Sequence, residues 1–281
     1  MDAAPIRRHA PLPKAPSLLV DGLKFALLAA VITGMMARAT ADLGYHWQWY
    51  RVSRYLLSAS EGAWVPGPLL QGLLVTFQIT AVSLVLSFVF GLATAFMRLS
   101  NSVLARLVAR IYLELIRNTP LLVQLFFIYF VLSPVFAINA FTSAVLALSL
   151  FEGAYAAEIF RAGILSIHRG QWEAAFSTGL NTWRAYRLVI LPQALRNILP
   201  PLTSQAISLV KDSALVSTIA IYDLTMQGQA IIAETYLVFE IWFTVAAIYL
   251  VVTLALSFTV TRMKKKLGFQ HSSSGSSVRQ F

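Results

Sequence analysis

The chain has no cysteine. That removes disulfides, thiolate nucleophiles and cysteine-based metal sites. Charge is also scarce: Asp, Glu, Lys and Arg make up 12% of its 281 residues, about half the share of a soluble domain. The histidines, His9, His46, His168 and His271, are scattered, so no metal site is expected. There is no Gly-x4-Gly-Lys phosphate loop, no His-Glu-x-x-His pair and no Gly-x-Ser-x-Gly elbow. ATP binding by a phosphate loop is excluded, and neither catalytic activity nor a cofactor is expected of the chain itself.

What remains is apolar. Hydrophobic residues make up 58% of the chain, in long runs separated by blocks of charge, as in a chain whose solvent is lipid. The formal net charge of +10 on a soluble protein would suggest nucleic acid. Here the basic residues fall between the runs, and no hydrophilic basic domain exists to host a nucleic acid. They read as topological anchors that mark the cytoplasmic side.

Residues 1–16 are polar and Pro-rich, with Arg7, Arg8 and Lys14, and are expected to be a disordered basic tail. An uncharged stretch from Phe25 to Ala37 reaches spanning length only with Ser17–Lys24 included, where Asp21 and Lys24 are spaced to pair. The rival reading is a signal peptide cut at Ala37-Arg38-Ala39; the long tail and Arg38 inside the proposed site favour an uncleaved span. Residues 40–66, with Tyr45, Trp47, Trp49, Tyr50 and Trp64, read as an interfacial segment. The spacing predicts a span near 69–97, followed by Arg98, Arg106 and Arg110 on a short connector.

No charge occurs from Asn118 to Phe151, and Ser133-Pro134 is expected to break that run. The run is too short for two spans and a turn. Both helices must borrow flanks that contain Glu114, Arg117, Glu152 and Glu158. Ionisable groups at that depth are costly and usually face protein; snorkelling at the headgroups is the alternative. Glu158 and Arg161, three apart, are expected to pair. Residues 161–197 are Arg-rich and should be cytoplasmic. Asn197–Tyr222 is apolar except for Lys211-Asp212. Residues 223–240 carry only acidic charge and should face outward. Ile241–Thr261 is a clean span, followed by Arg262 and Lys264–Lys266. Of the 22 Lys and Arg, Arg38, Arg51 and Arg54 alone fall clearly on the outer side. The reading is an all-α, polytopic transmembrane helical bundle of six spans, or five if the first segment is cleaved. It divides into a tail 1–16, an N-terminal span and interfacial segment 17–66, a transmembrane domain 67–264 and a disordered tail 265–281. No internal repeat is visible, which counts against the inverted-repeat carriers.

The 161–197 segment is too long and too patterned for a simple connector. His168–Thr178 reads as a short helix, with Glu173 near its start and Gly179 placed as a left-handed cap. Asn181 or Thr182 can cap a second helix that runs to Leu191 and stops before Pro192. Ala174 and Ala175 offer a low surface for another protein. A DNA-binding helix–turn–helix is disfavoured in a membrane loop without its own core; a passive connector stays open.

Glu173-Ala174-Ala175, Gly179, Val189 and Leu191-Pro192 resemble the EAA motif of ABC importer permeases, with Val189 where Ile is usual. Further stretches narrow the resemblance to polar-amino-acid permeases. They are Glu114–Gln124 (ELIRNTPLLVQ), Ala156–Gly163 (AAEIFRAG), Gly170–Ala175 (GQWEAA), Leu191–Ala194 (LPQA) and Lys211–Val216 (KDSALV). In the last, Ser213-Ala214 stand where Thr-Ser is more frequent. The resemblance covers residues 65–262. It implies a five-span core, here with an added N-terminal span, and a cytoplasmic coupling-helix loop. It also implies a bacterial inner-membrane location. The implied partners are a second permease, identical or sister, a cytoplasmic ATPase dimer that holds ATP and Mg, and an extracytoplasmic amino-acid-binding protein. The ATPases would dock on Glu173, Ala174, Ala175, Gly179, Val189, Leu191 and Pro192. A different class of function, a stand-alone ion- or proton-coupled carrier, would use Glu152, Glu158, Lys211 and Asp212 as a relay. Whether Glu114, Arg117, Glu152, Glu158, Arg161, Lys211 and Asp212 line a path or form structural ion pairs stays open on sequence.

Overall fold

A computed structural model describes residues 18–42, 44–60 and 63–266. The basic tail 1–16 and the residues after 266 lie outside them. The chain divides after Trp47. In the first part α1 (Leu18–Asp42) is one helix that continues through Arg38. Asp21 and Lys24 approach to 3.7 Å within it, as their spacing predicts.

The second part opens with a 3-10 turn (Trp49–Arg51), α2 (Ser53–Leu56) and an antiparallel hairpin of β1 (Leu57–Ser60) and β2 (Ala63–Pro66). Sequence reading gave 40–66 to the N-terminal segment, but residues from Gln48 onward belong to the main body. The reason is specific contact: the Gln48 backbone N–H donates to Glu240 Oε1 at 2.7 Å. Trp49, Tyr50 and Trp64 remain exposed, as an interfacial position requires.

The bundle follows. α3 (Pro68–Leu99) starts on a proline that needs no N–H partner there. α4 (Val103–Arg117) is capped by Ser102, whose hydroxyl accepts from Ala105 N at 3.3 Å. Pro120 stops its continuation. α5 (Leu121–Phe126), a π turn (Phe127–Leu132) and α6 (Ser133–Phe136) then form one helical path. α7 (Ala140–Leu165), α8 (Arg169–Ser177), α9 (Thr182–Ala185) and a π turn (Tyr186–Ile190) lead into α10 (Leu191–Asp212). A 3-10 stretch (Ser213–Ile219) precedes α11 (Leu224–Thr235) and α12 (Val238–Lys266).

Among the described residues, α3, α7 and residues 238–262 of α12 are long and apolar enough to cross a membrane; α4 with Leu121–Phe136 makes a fourth such unit, bent through 106°. The other two of the six expected spans fall on α1 and α10, which are not among these helices. The expected connector after Arg98 is the helix α4. The break in the 118–151 run comes at Ala137, left-handed at φ 53°, and not at Pro134, which sits harmlessly in the first turn of α6. Lys211-Asp212 end α10 rather than lying in mid-span. α12 runs to Lys266, into the expected C-terminal tail.

α7 is the central helix: 61% of its apolar window is buried, against 28% for α3 and 17% for α12. Small residues let α3 and α7 approach, since lipid offers no hydrophobic drive between helices. Ser83, Ser87, Ser149, Ala156 and Ala157 are buried there, and the Ser149 hydroxyl donates to Ser83 O at 3.4 Å. A core of Ile79, Leu125, Leu148, Leu209 and Val216 ties α3, α5, α7, α10 and the 3-10 stretch together.

Candidate functional site: a clamped loop and two acidic residues on one helix

The loop between α7 and α10 is built as a unit. His168 caps α8, its Nδ1 accepting from Gly170 N at 3.1 Å. Glu173 pairs with Arg169 at 3.0 Å. The end of α8 is a Schellman turn: Gly179 N donates to Phe176 O at 3.0 Å and Leu180 N to Ala175 O at 3.2 Å. Gly179 adopts φ +79°, the left-handed state expected of it. A Cβ there would meet no atom within 4 Å, so the demand for glycine is made by the backbone alone. Asn181 Oδ1 accepts from Arg184 N at 2.9 Å and opens α9.

Two cross-links then fix α8 against the next helix. The Trp172 and Tyr186 rings meet edge to face at 4.6 Å. Gln193 Nε2 donates to Gln171 Oε1 at 3.1 Å and to Val189 O at 2.9 Å. The expected stop before Pro192 does not occur. The π turn at 186–190 resets the hydrogen-bond register, so Pro192 falls in the first turn of α10, where its missing N–H is tolerated. The loop's root is equally tight. A Cβ on Gly163 would lie 2.2 Å from Ile198 Cγ1, and Asn197 Nδ2 donates to Ser166 Oγ at 2.8 Å.

The motif residues divide by face. Glu173, Ala174, Gly179, Leu191 and Pro192 are exposed and Val189 is half-buried, but Ala175 is buried. Ala175 therefore packs inward and is not part of an outer surface. Sequence reasoning missed Phe176, Trp183 and Leu188, exposed by 47%, 71% and 61%. Large apolar residues in so polar a loop were the available signal, since exposed clusters of that kind mark interaction surfaces.

Two glutamates on α7 have opposite surroundings. Glu158 gathers three arginines from three helices: Arg98 of α3 at 2.8 Å, Arg161 of α7 at 2.9 Å and Arg117 of α4 at 3.8 Å. The expected Glu158–Arg161 pair is present within this larger hub. Arg117 also lies 5.7 Å from the Tyr155 ring. Glu152 is 2% exposed, and neither carboxylate oxygen has a hydrogen-bond partner. Gln205 and Asp212 of α10 face it. Lys211 is exposed and Glu114 is held by Asn118 Nδ2 at 2.9 Å. Asp212 lies between Glu152 and Lys211, but Glu158 is held apart by its arginines, so Glu152, Glu158, Lys211 and Asp212 do not form one relay.

Asp223 and Glu240, in the acidic segment expected on the outer side, are fully buried. Asp223 caps α11 through Met226 N at 2.8 Å and accepts from Tyr249 Oη at 3.4 Å. Thr76 of α3 accepts from Leu224 N at 3.2 Å. These two acids act as structural caps and struts.

The arrangement defines a class: a helical membrane protein without catalytic groups, carrying a preformed loop clamped to its two central helices. Residues 87–268 match the family described as binding-protein-dependent transport system inner membrane component, and the chain belongs to it. The chain is 43% identical over 208 residues to the glutamine transport system permease protein GlnP of Escherichia coli (strain K12), covering 73% of this chain and 95% of that one. It is 40% identical over 199 residues to the L-cystine transport system permease protein TcyB of Bacillus subtilis (strain 168), covering 70% and 85%. A solved structure described as an amino acid ABC transporter with histidines superposes with TM-score 0.67 at 42% identity, over 71% of this chain and 94% of that one. The MetNI methionine ABC transporter in an inward-facing form matches with TM-score 0.62 at 20% identity, over 73% and 97%; it supports the fold alone. The protein is thus a permease subunit of an ABC importer, not itself an enzyme, and the family implies a separate ATPase and a substrate-binding protein.

Proposed function

We propose that the chain carries a polar amino acid across a bacterial inner membrane, paired with a second permease, identical or sister. A binding protein delivers the cargo from outside, and an ATPase dimer holding ATP and Mg docks on the 169–192 loop from the cytoplasm. The observation that carries this reading is the clamped loop. Its caps, the Trp172–Tyr186 contact and the Gly163–Ile198 approach leave no slack, so force on α8 passes into α7 and α10. Glu173, Ala174, Phe176, Trp183, Leu188 and Leu191 form the docking face, while Gly179 sets the angle between its helices. Relatives named for glutamine and L-cystine support an amino-acid cargo. Glu158 is committed to its arginines, which leaves Glu152 as the carboxylate available to a cargo ammonium along the path.

Gly179→Leu tests the loop. A side chain at φ +79° costs about 1 kcal/mol or more and re-aims the two helices. The variant is expected to insert and pair, but uptake and the stimulation of ATP hydrolysis by loaded binding protein should fall. Glu173→Lys should act in the same direction by reversing a docking charge. The measurement is ATPase activity of the assembled complex in lipid, with and without loaded binding protein. Intact stimulation and uptake in Gly179→Leu would make the loop a passive connector.

A further inference from the structure

α4 has three distinct sides. At 100° per residue, Ala109, Tyr112, Leu113 and Ile116 share the side that packs on the bundle. Ala109 and Leu113 are buried, and Tyr112 Oη donates to Leu150 O at 2.6 Å. A second side presents Leu104, Val108, Ile111 and Leu115, exposed by 70%, 48%, 50% and 63%. The third is a stripe of Arg106, Arg110 and Arg117 with Glu114 at its edge.

That stripe lines two adjoining clefts. One, of about 600 Å³, lies between Arg98, Arg106, Arg110 and Glu114; the other, of about 340 Å³, lies between Arg98, Arg110, Glu114, Arg117 and Tyr155. Arg98 and Arg117 reach Glu158. Arg106 and Arg110 have no ion pair among the described residues, and the one carboxylate lining the clefts, Glu114, is bonded to Asn118. Two guanidinium groups thus face clefts whose one carboxylate, Glu114, leaves positive charge in excess. A planar guanidinium suits a phosphate oxygen pair. The helix turns through 106° from the segment that follows it and carries basic and apolar stripes on separate sides, as amphipathic helices at a membrane boundary do.

We propose that these clefts bind the phosphate headgroup of an anionic phospholipid. Arg106 and Arg110 grip the phosphate, while the acyl chains lie along Leu104, Val108, Ile111 and Leu115. The apolar stripe beside the cationic cleft commits the occupant to a lipid: a soluble anion would leave that stripe uncovered. Basic pockets beside membrane helices suit such headgroups. The site lies apart from the docking loop and from Glu152.

The test uses the full chain purified from mixed micelles of phosphatidylglycerol and phosphatidylethanolamine, with retained lipid counted by native mass spectrometry. Wild type is expected to keep phosphatidylglycerol in preference. Arg106→Gln with Arg110→Gln should lower that preference roughly thirtyfold, from the charge lost at the headgroup. Arg196→Gln with Arg262→Gln removes equal charge elsewhere and should change it less than about twofold, the short reach of such fields at physiological salt. Equal loss in the two double variants would reduce the effect to net charge and overturn the site, as would absence of any preference in wild type. Displacement of the lipid by excess inorganic phosphate would assign the clefts to a soluble anion and overturn the lipid. If the double variant does not insert, Arg110→Gln alone carries the same comparison.

Discussion

Glu152 and Glu158 stand six residues apart on α7, about 9 Å along its axis, and the helix treats them in opposite ways. Glu158 is half-buried and surrounded by guanidinium groups from α3, α4 and its own helix. Glu152 is deeper, and its oxygens have no partner. A carboxylate that holds a structure together is saturated with donors. One left unsaturated at membrane depth is a standing cost, which selection tolerates where the group must be free to meet something that passes. The pair teaches how to tell strut from path on one helix: count donors, not depth.

Three substitutions test that contrast, taken from the largest effect downward. Glu152→Gln keeps the shape and removes the charge. Uptake by the assembled transporter should fall about tenfold to a hundredfold, the worth of one charge-assisted contact. Its thermal midpoint should stay level, because no hydrogen bond to either oxygen is lost. A clear drop in that midpoint with uptake preserved would make Glu152 a strut too and erase the contrast. Glu158→Gln should do the reverse, destabilising the purified permease by about 1–2 kcal/mol as three arginines lose their common acceptor. Thermal unfolding in lipid–detergent micelles reads this, and an unmoved midpoint would show the hub to be ornamental. The smallest effect is pairwise. Combining Glu158→Gln with Arg161→Gln should recover about 0.5–1 kcal/mol relative to the sum of the single changes. Strict additivity would mean that Arg98 and Arg117 carry the hub without Arg161.

Local chemistry was legible; distant partnership was not. Gly179 and Asn181 announce caps from residue type and spacing alone, and the structure places both in those roles. The Glu158–Arg161 pair is local too. By contrast, Arg98 lies 60 residues from Glu158, and Gln48 lies 192 from Glu240, so no periodicity could join them. Counting residues misled between Asn118 and Phe151, because the count assumed that every apolar stretch runs across the membrane. α4 does not continue the direction of the helix after it. Pro192 misled for another reason: a proline ends a helix only if its N–H is required, and a π turn ahead of it removes the requirement. The hairpin at 57–66 carries no clean alternation, and its small residues Ser58, Ala59, Ser60 and Ala63 give a weak strand signal.

The 106° elbow between α4 and the helix after it is more than a change of direction. Arg98 at the end of α3 and Arg117 at the end of α4, just before the elbow, both close on one carboxylate of α7, so α4 is tied at both ends to the central helix. A helix tied in this way cannot sink or rise by itself. Bilayers that differ in thickness must therefore be met by tilting α3 and α7 together or by deforming the lipid. The tied helix works as a waterline, and membrane thickness becomes a mechanical load on the helices that hold the transport loop.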